Sequence, residues 1–224
     1  MHQTIQATQS GKAGRRRSAI SLTAVVLLAM TLSCVTVTRT VEVTPAPVPE
    51  ELVGARWQKL PLRYCVVPSE LAFMPHARFV ALTNDAFARW GVDSVSDGDC
   101  SESADRNGRN EITWGEAPEV ANGTVYEAGF ARVIYSRCVQ ACPADSATTI
   151  VEADILIDPT PPERGQTEEC LFATLLHEVG HFLGIPHLAS PAVMAPVSSS
   201  CLRELTAADR QALVDLYGAG AIRD

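Results

Sequence analysis

The stretch His177-Glu178-Val179-Gly180-His181-Phe182-Leu183-Gly184-Ile185-Pro186-His187 constrains this chain more than any other part of it. His177 and His181 are four residues apart, so on a helix they share one face, one turn above the other. Two imidazoles in that relation can hold one Zn²⁺ from the same side, each with a Zn–N distance of about 2.0 Å. Glu178 stands beside the first of them, where a carboxylate can act as general base toward water at the metal. Gly184 falls where such a helix would end, and its tolerance of positive φ permits a sharp turn. That turn can bring His187 back as a third nitrogen donor. Three protein ligands leave one coordination position open, which is the catalytic rather than the structural pattern for zinc.

A solitary buried histidine is more often a core residue bonded to a backbone carbonyl, and a solitary surface glutamate is more often merely solvated. Here three histidines, a glutamate and a glycine stand together at the spacings one metal requires, and the combination favours zinc.

The 224 residues are 46 % hydrophobic and 20 % charged, enough to bury the core of one sizeable domain with extensions. The net charge is −8. Lys12, Arg15, Arg16 and Arg17 precede Cys34 with no acid among them, so the remainder is more acidic still. Such a body argues against nucleic acid or anionic lipid as a partner, since both select clustered Lys and Arg. It is compatible with calcium or with basic substrates. A monomer is expected.

Residues 1–33 read as a targeting segment: Arg15-Arg16-Arg17 is its charged region, and Ala19 to Met30 is apolar but too short for an ordinary membrane span. Arg16-Arg17-Ser18-Ala19-Ile20 is similar to a twin-arginine export signal. Thr31-Leu32-Ser33-Cys34 is similar to a lipobox, with Ser33 before a cysteine that would carry lipid. A lipid on Cys34 would be the chain's one link to a membrane. Simple secretion, or retention of the segment as a signal anchor, are the alternatives. Either way the destination is the cell envelope or the exterior. Residues 34–54 hold Pro45, Pro47 and Pro49 and read as an extended tether, with a short propeptide as the alternative. Residues 55–224 form the domain. Export makes disulfides the expected state of its cysteines. Cys65, Cys100, Cys138, Cys142, Cys170 and Cys201 leave the pairing open, with a local Cys138–Cys142 bridge and a Cys170–Cys201 bridge as candidates.

Within the domain, Leu62–Val67, Glu111–Trp114, Ala131–Tyr135 and Ile150–Leu156 are strand candidates rich in β-branched and aromatic residues. Phe79, Leu82, Phe87 and Trp90 mark a helix that opens near Pro75 and stops at Gly91. Asp93 to Asn110, with Asp97, Asp99, Asp105, Asn107 and Asn110, is an oxygen-rich loop able to hold Ca²⁺, and equally an ordinary set of turns. Asp154 and Asp158 are weaker Ca²⁺ candidates. Thr167 is placed to cap the metal-site helix, with Glu168 and Glu169 at its positive end. Thr206 and Asp209 have the spacing of a capping box at the start of a last helix.

The long histidine pattern, followed by Ser190-Pro191-Ala192-Val193-Met194-Ala195-Pro196, resembles the metzincin zinc metalloproteases with their Met-turn. Within that clan the chain resembles the matrixin branch from about Arg56 to Gly218. Arg56-Trp57, the helix ending at Trp90 and Leu205-Thr206 … Leu216-Tyr217-Gly218 carry the likeness. The resemblance implies an α+β fold, a small twisted mixed sheet packed on the active-site helix, the Met-turn and a C-terminal helix. It implies Met194 as an apolar floor under the metal and Asp209 as a buried link to the active-site helix. It also implies that Ala131, Arg132 and Val133 lie on a sheet edge where substrate adds as a strand. Pro196 and Ser198 would then belong to the wall of the pocket beside the scissile bond. Ala195 stands where matrixins commonly have Tyr, so the pocket is expected to be wider than theirs. The histidines and the cysteine switch that matrixins use for a second zinc and for latency have no counterparts here, and the disulfides are expected to brace the loops instead.

The function implied is hydrolysis of protein or peptide substrates by a zinc endopeptidase with Glu178 as general base. Two alternatives stay open: a gluzincin-type peptidase with Glu204 as third ligand, and a non-catalytic surface lipoprotein stapled by zinc.

Overall fold

The computed structural model describes residues 35–43, 54–104, 106–115, 128–140, 142, 147–159, 167–196 and 201–221. The targeting segment, Cys34, the three prolines of the tether, Asp105 and Ser198 lie outside those residues. In chain order the strands are β1 (Val35–Val43), β2 (Leu62–Val66), β3 (Ser94–Asp99), β4 (Glu111–Trp114), β5 (Gly129–Gln140) and β6 (Thr149–Ile157). The helices are α1 (His76–Trp90), α2 (Glu168–Phe182) and α3 (Ala207–Tyr217). The strands make one mixed six-stranded sheet in the order β1-β5-β6-β4-β2-β3. β3, β2, β4 and β6 run parallel, while β5 is antiparallel to both β6 and β1. The fold is α+β, as the sequence implies.

β4 is buried at every residue, the polar Glu111 and Thr113 as well as the apolar Ile112 and Trp114, because other strands lie on both of its sides. α2 lies on β5 and β6, and α1 lies on α2. Their shared core centres on Phe79, Phe87, Trp90, Ile155, Leu175, Leu176 and Phe182. Phe87 stacks on Tyr64 with ring centres 3.9 Å apart and meets Phe182 edge-on at 5.0 Å. α1 begins directly after Pro75 and ends on Gly91, whose φ of 70° closes the last turn. Disulfides join Cys65 of β2 to Cys100 beyond β3, and Cys138 to Cys142 at the end of β5.

Two segments differ from the sequence expectation. Residues 35–43 are extended, as a tether would be, but they are hydrogen-bonded along β5 from Val35 opposite Gln140 to Val43 opposite Ala131. β5 is therefore not the sheet edge; β1 lies outside it. Ser94–Asp99, expected as part of an acidic loop, is a strand parallel to β2. Val95, Asp97, Gly98 and Asp99 are exposed and Ser94 and Ser96 half-buried, so the strand rests on pairing with β2 rather than on core burial. The oxygens of this region bond within the protein. Asp97 pairs with Arg63, Asp99 with His76 at 2.7 Å, and Asn107 donates to Glu111 at 2.9 Å. Asn110 donates to the Arg63 carbonyl and accepts from the Ala153 N–H.

Glu111, Glu152 and Asp154 are buried carboxylates on neighbouring strands. Asp154 accepts the Glu111 N–H at 3.0 Å, and Glu152 accepts the Gly108 N–H at 2.6 Å. Arg132 is the register partner of Asp154 across β5 and β6. Burial, helped by the charges of Glu152 and Glu111, pushes the Asp154 carboxyl up to about 7, against the pull of the Glu111 N–H and of Arg132. The folded protein thus keeps a proton that the unfolded chain releases near the ordinary value of about 4. Stability from this group is present below that value and is lost as pH rises through about 7. Asp154→Asn keeps an oxygen for the Glu111 N–H and is expected to flatten that loss. Melting temperatures of both proteins across this window check it, and parallel curves would contradict the assignment.

Candidate metal centre

α2 is held at both ends before any metal is considered. Its first turn is capped by the Thr167 hydroxyl, which accepts the Cys170 N–H at 3.3 Å, with Glu168 and Glu169 at the positive end of the helix dipole. The Cys170–Cys201 disulfide ties that turn to the segment beyond the Met-turn, with Cα atoms 4.6 Å apart. At the other end, Trp57 Nε1 donates to the Phe182 carbonyl and Tyr217 Oη to the Leu183 carbonyl, both at 2.8 Å. Trp90 Nε1 donates to the Leu176 carbonyl, also at 2.8 Å. The residues that carried the family likeness at the two ends of the domain therefore meet at the C-terminal end of this helix. Arg56 adds a bond from Nη1 to the Leu216 carbonyl at 3.0 Å.

Gly184 has φ of 89°, and a Cβ there would lie 2.2 Å from the Ala55 carbonyl oxygen. Both facts demand glycine: the conformation is left-handed, and the start of the domain passes too close for a side chain. The turn it makes reverses the chain and returns His187 to α2.

His177, His181 and His187 then converge, their ring centres 4.7, 5.4 and 4.6 Å apart pairwise. His177 Nδ1 donates to the Val193 carbonyl at 2.7 Å, and His181 Nδ1 donates to the Ile185 carbonyl at 2.9 Å. With the hydrogen on Nδ1, each Nε2 carries a lone pair. His181 Nε2 lies 3.1 Å from His187 Nε2. Two nitrogens bound to one tetrahedral zinc at about 2.0–2.1 Å each would stand about 3.3 Å apart, so the donor set fits that ion. Burial lowers the pKa of His177 and lowers that of His181 further, with His177 and His187 adding to the effect at His181. For His177 and His181 burial therefore favours the neutral imidazole, the ligating form.

Glu178 and His181 are themselves buried, so the metal-facing side of α2 is not a solvent-facing one. Glu178 lies beside the start of β5: a Cβ on Gly129 would stand 3.2 Å from Glu178 Cγ. Met194 is fully buried and packs on Gly180, where an added Cβ would lie 2.1 Å from the Met194 sulfur and 2.8 Å from Trp90 Cζ2. Glycine at that position of α2 is thus the space into which the Met-turn fits.

Asp209 was expected to bind the active-site helix, and it does so only at one remove. Its carboxylate accepts the Val193 and Met194 N–H groups at 3.0 and 3.1 Å, and closes a capping box with Thr206. The Val193–Met194 peptide gives its N–H to Asp209 and takes the His177 hydrogen on its carbonyl. A main-chain amide is the link. Glu204 is exposed and ion-paired with Arg89, apart from the three histidines. Ala131, Arg132 and Val133 are opposite Val43, Glu42 and Val41 of β1. Pro196 is exposed just beyond the Met-turn. Among the described residues a second group, Cys65, Cys100 and Glu111, also converges, but its sulfurs form a disulfide and offer no thiolate.

Sequence reasoning missed the roles of Trp57 and Tyr217 as donors to the end of α2, and that of Gly129 beside Glu178. Their partners lie far along the chain, and no local spacing announces them.

Asp209→Ala leaves the Val193 and Met194 N–H groups buried without an acceptor, a loss of about 1–3 kcal/mol for each such group. Because those groups orient His177, zinc affinity is expected to fall about 10- to 100-fold, the usual effect of removing a partner behind a metal ligand. Chelator competition and thermal unfolding of the metal-loaded protein measure the two losses.

Three disulfides form in the described residues, which marks an exported protein folded in an oxidising compartment. Among the described residues no helix is long and apolar enough to cross a membrane. No curated protein matches the chain in sequence. The matrixin family model does match, over residues 56–218, which is most of the chain and includes the three histidines, Glu178, Met194 and Asp209. With that extent of agreement, this chain belongs to the matrixin family of metzincin zinc metalloproteases.

Proposed function

We propose that the chain is an endopeptidase that cuts extended protein or peptide substrates, with zinc on His177, His181 and His187 and with Glu178 as general base. The observation that carries the proposal is the pair of Nε2 atoms on His181 and His187, 3.1 Å apart, with the His181 lone pair turned inward by its bond to Ile185. A neutral imidazole can offer its Nε2 lone pair to a cation, and two such nitrogens at that separation suit one shared ion. Zinc, when bound, supplies a Lewis acid that acidifies water and stabilises a developing oxyanion.

The remaining work falls to the chain. Glu178 takes the proton of the attacking water and passes it to the departing amine. Its burial excludes bulk water that would otherwise compete for that proton. His177 and His181 stay oriented through Val193 and Ile185, which limits the misplacement that slows a reaction. Met194 forms the apolar floor against Gly180. Ala131, Arg132 and Val133 align substrate backbone when the edge that β1 covers is free, and Pro196 and Ser198 border the pocket beside the scissile bond. Residues 1–33 direct export, and Cys34 carries a lipid anchor.

Glu178→Ala is expected to retain zinc but to lose hydrolysis of casein or a quenched peptide by at least about 100-fold, at the low end of what a general base supplies. Undiminished hydrolysis in that variant would refute the role of Glu178. His187→Ala should lower zinc content measured by metal analysis, while Glu204→Ala should leave it unchanged. The reverse result would make Glu204 the third ligand.

A further inference from the structure

β5 begins against the metal centre. A Cβ on Gly129 would meet Thr174 Cγ2 at 2.9 Å and Glu178 Cγ at 3.2 Å, so the first residue of this strand borders the general base. One long edge of β5 is paired with β6. The other edge is where an extended peptide would add as a strand to reach Glu178. β1 occupies it. Val43 lies opposite Ala131, Val41 opposite Val133 and Thr38 opposite Ser136, and the pairing continues to Val35 opposite Gln140. β1 runs toward the Glu178 end of β5, so its polarity is that of a chain entering the centre. The pairing covers Ala131, Arg132 and Val133, the residues expected to align substrate.

A strand edge presents one row of N–H and C=O groups, and a residue that bonds one neighbour on that side cannot bond a second. Occupation by β1 and addition of substrate are therefore mutually exclusive. β1 is one of the two edge strands of the sheet, paired on one side only, and its described side chains, Thr38 and Arg39, are exposed. A strand held in that way can leave without breaking any other strand pairing.

We propose that residues 35–43 are a built-in competitor for the substrate edge, a strap that holds the enzyme in a low-activity state until it is displaced. The consequence for cleavage rests on the proteolytic reading above; the competition for the edge does not. A competitor tethered within the same chain acts at an effective concentration on the order of millimolar, so a substrate at micromolar concentration meets a largely occupied edge. Its apparent affinity is reduced by the fraction of molecules whose edge is free.

Two variants of the full chain test this. In the first, Thr38→Cys with Ser136→Cys places a disulfide between register partners, whose Cα atoms in an antiparallel pair lie about 4.5–5.5 Å apart, within bridging reach. Thr38→Cys alone is its control, and mass analysis of a non-reduced digest verifies the cross-link. In the second, Val37→Pro with Thr38→Pro frees the edge. Successive residues of a strand point their N–H groups to opposite sides, so one of these two prolines removes a bond to β5. Each protein, loaded with zinc, is assayed for cleavage of a quenched extended peptide and for binding of a labelled peptide with the sequence of residues 35–43.

The locked form should bind no labelled peptide and lose at least about tenfold in cleavage, because its free-edge fraction approaches zero. The proline form should bind the peptide more tightly than the natural chain does and cleave several-fold faster. A locked form that binds or cleaves as the control does overturns the strap, and this arm decides the matter if the proline form fails to fold. If peptide binding follows the expected order while no form cleaves any substrate, the strap stands and the proteolytic reading falls.

Discussion

The centre depends on where two hydrogens sit. His177 and His181 can offer Nε2 lone pairs to one point only if their Nδ1 hydrogens are accepted elsewhere, and the acceptors are the main-chain carbonyls of Val193 and Ile185. Each carbonyl lies beyond the end of α2, on the segment that reverses direction at Gly184. The fold thus has to bring two later loops back onto the helix before the histidines acquire a defined tautomer. Gly184 and Gly180 are the sites where this return would otherwise clash, one with the Ala55 carbonyl and the other with Met194.

The same demand explains the distribution of polar bonds around α2. Its last carbonyls would lack partners within the helix, and they take Trp57 Nε1 and Tyr217 Oη instead. Those two donors come from opposite ends of the domain, so the end of the helix is also where the chain's beginning and end are joined. Asp209 completes the arrangement from α3 by fixing the Met-turn amides. Helix, turn and C-terminal helix act as one unit because each supplies the partner that another lacks.

What the sequence makes legible is what local geometry decides. The i, i+4 histidines, the glycine stop at Gly91, the Thr167 cap and the Thr206–Asp209 capping box each involve residues within a turn or two, and each forms as read. The strands with β-branched runs are legible for a similar reason, since side-chain burial selects those residue types. β3 is not, and β1 is only in part. Ser94–Asp99 is mostly polar and largely exposed, so the distant strand β2 determines its state. Residues 35–43 are a run of Val and Thr that favours a strand, but the partner β5 lies far along the chain and the prolines that follow suggest a free tether. The partner of Asp209 was illegible for a subtler reason. A buried carboxylate in a capping box announces that it accepts hydrogen bonds, but not that an amide of the Met-turn would stand between it and His177.

The bridge between Cys170 and Cys201 closes a covalent ring, its ends 31 residues apart in sequence. His177, Glu178, Gly180, His181, Gly184, His187 and Met194 all fall inside it. In the chain-entropy view such a ring removes about 3–4 kcal/mol of disorder from the unfolded molecule. It removes that disorder from the one part of the polypeptide that must gather around an ion. An oxidised but still unfolded chain therefore carries its whole donor set on a short circle, already half collected, whereas a chain kept among reducing thiols carries the same groups on an open string. The redox state of the place where this protein matures thus governs how readily it captures metal as well as how stable it is once folded.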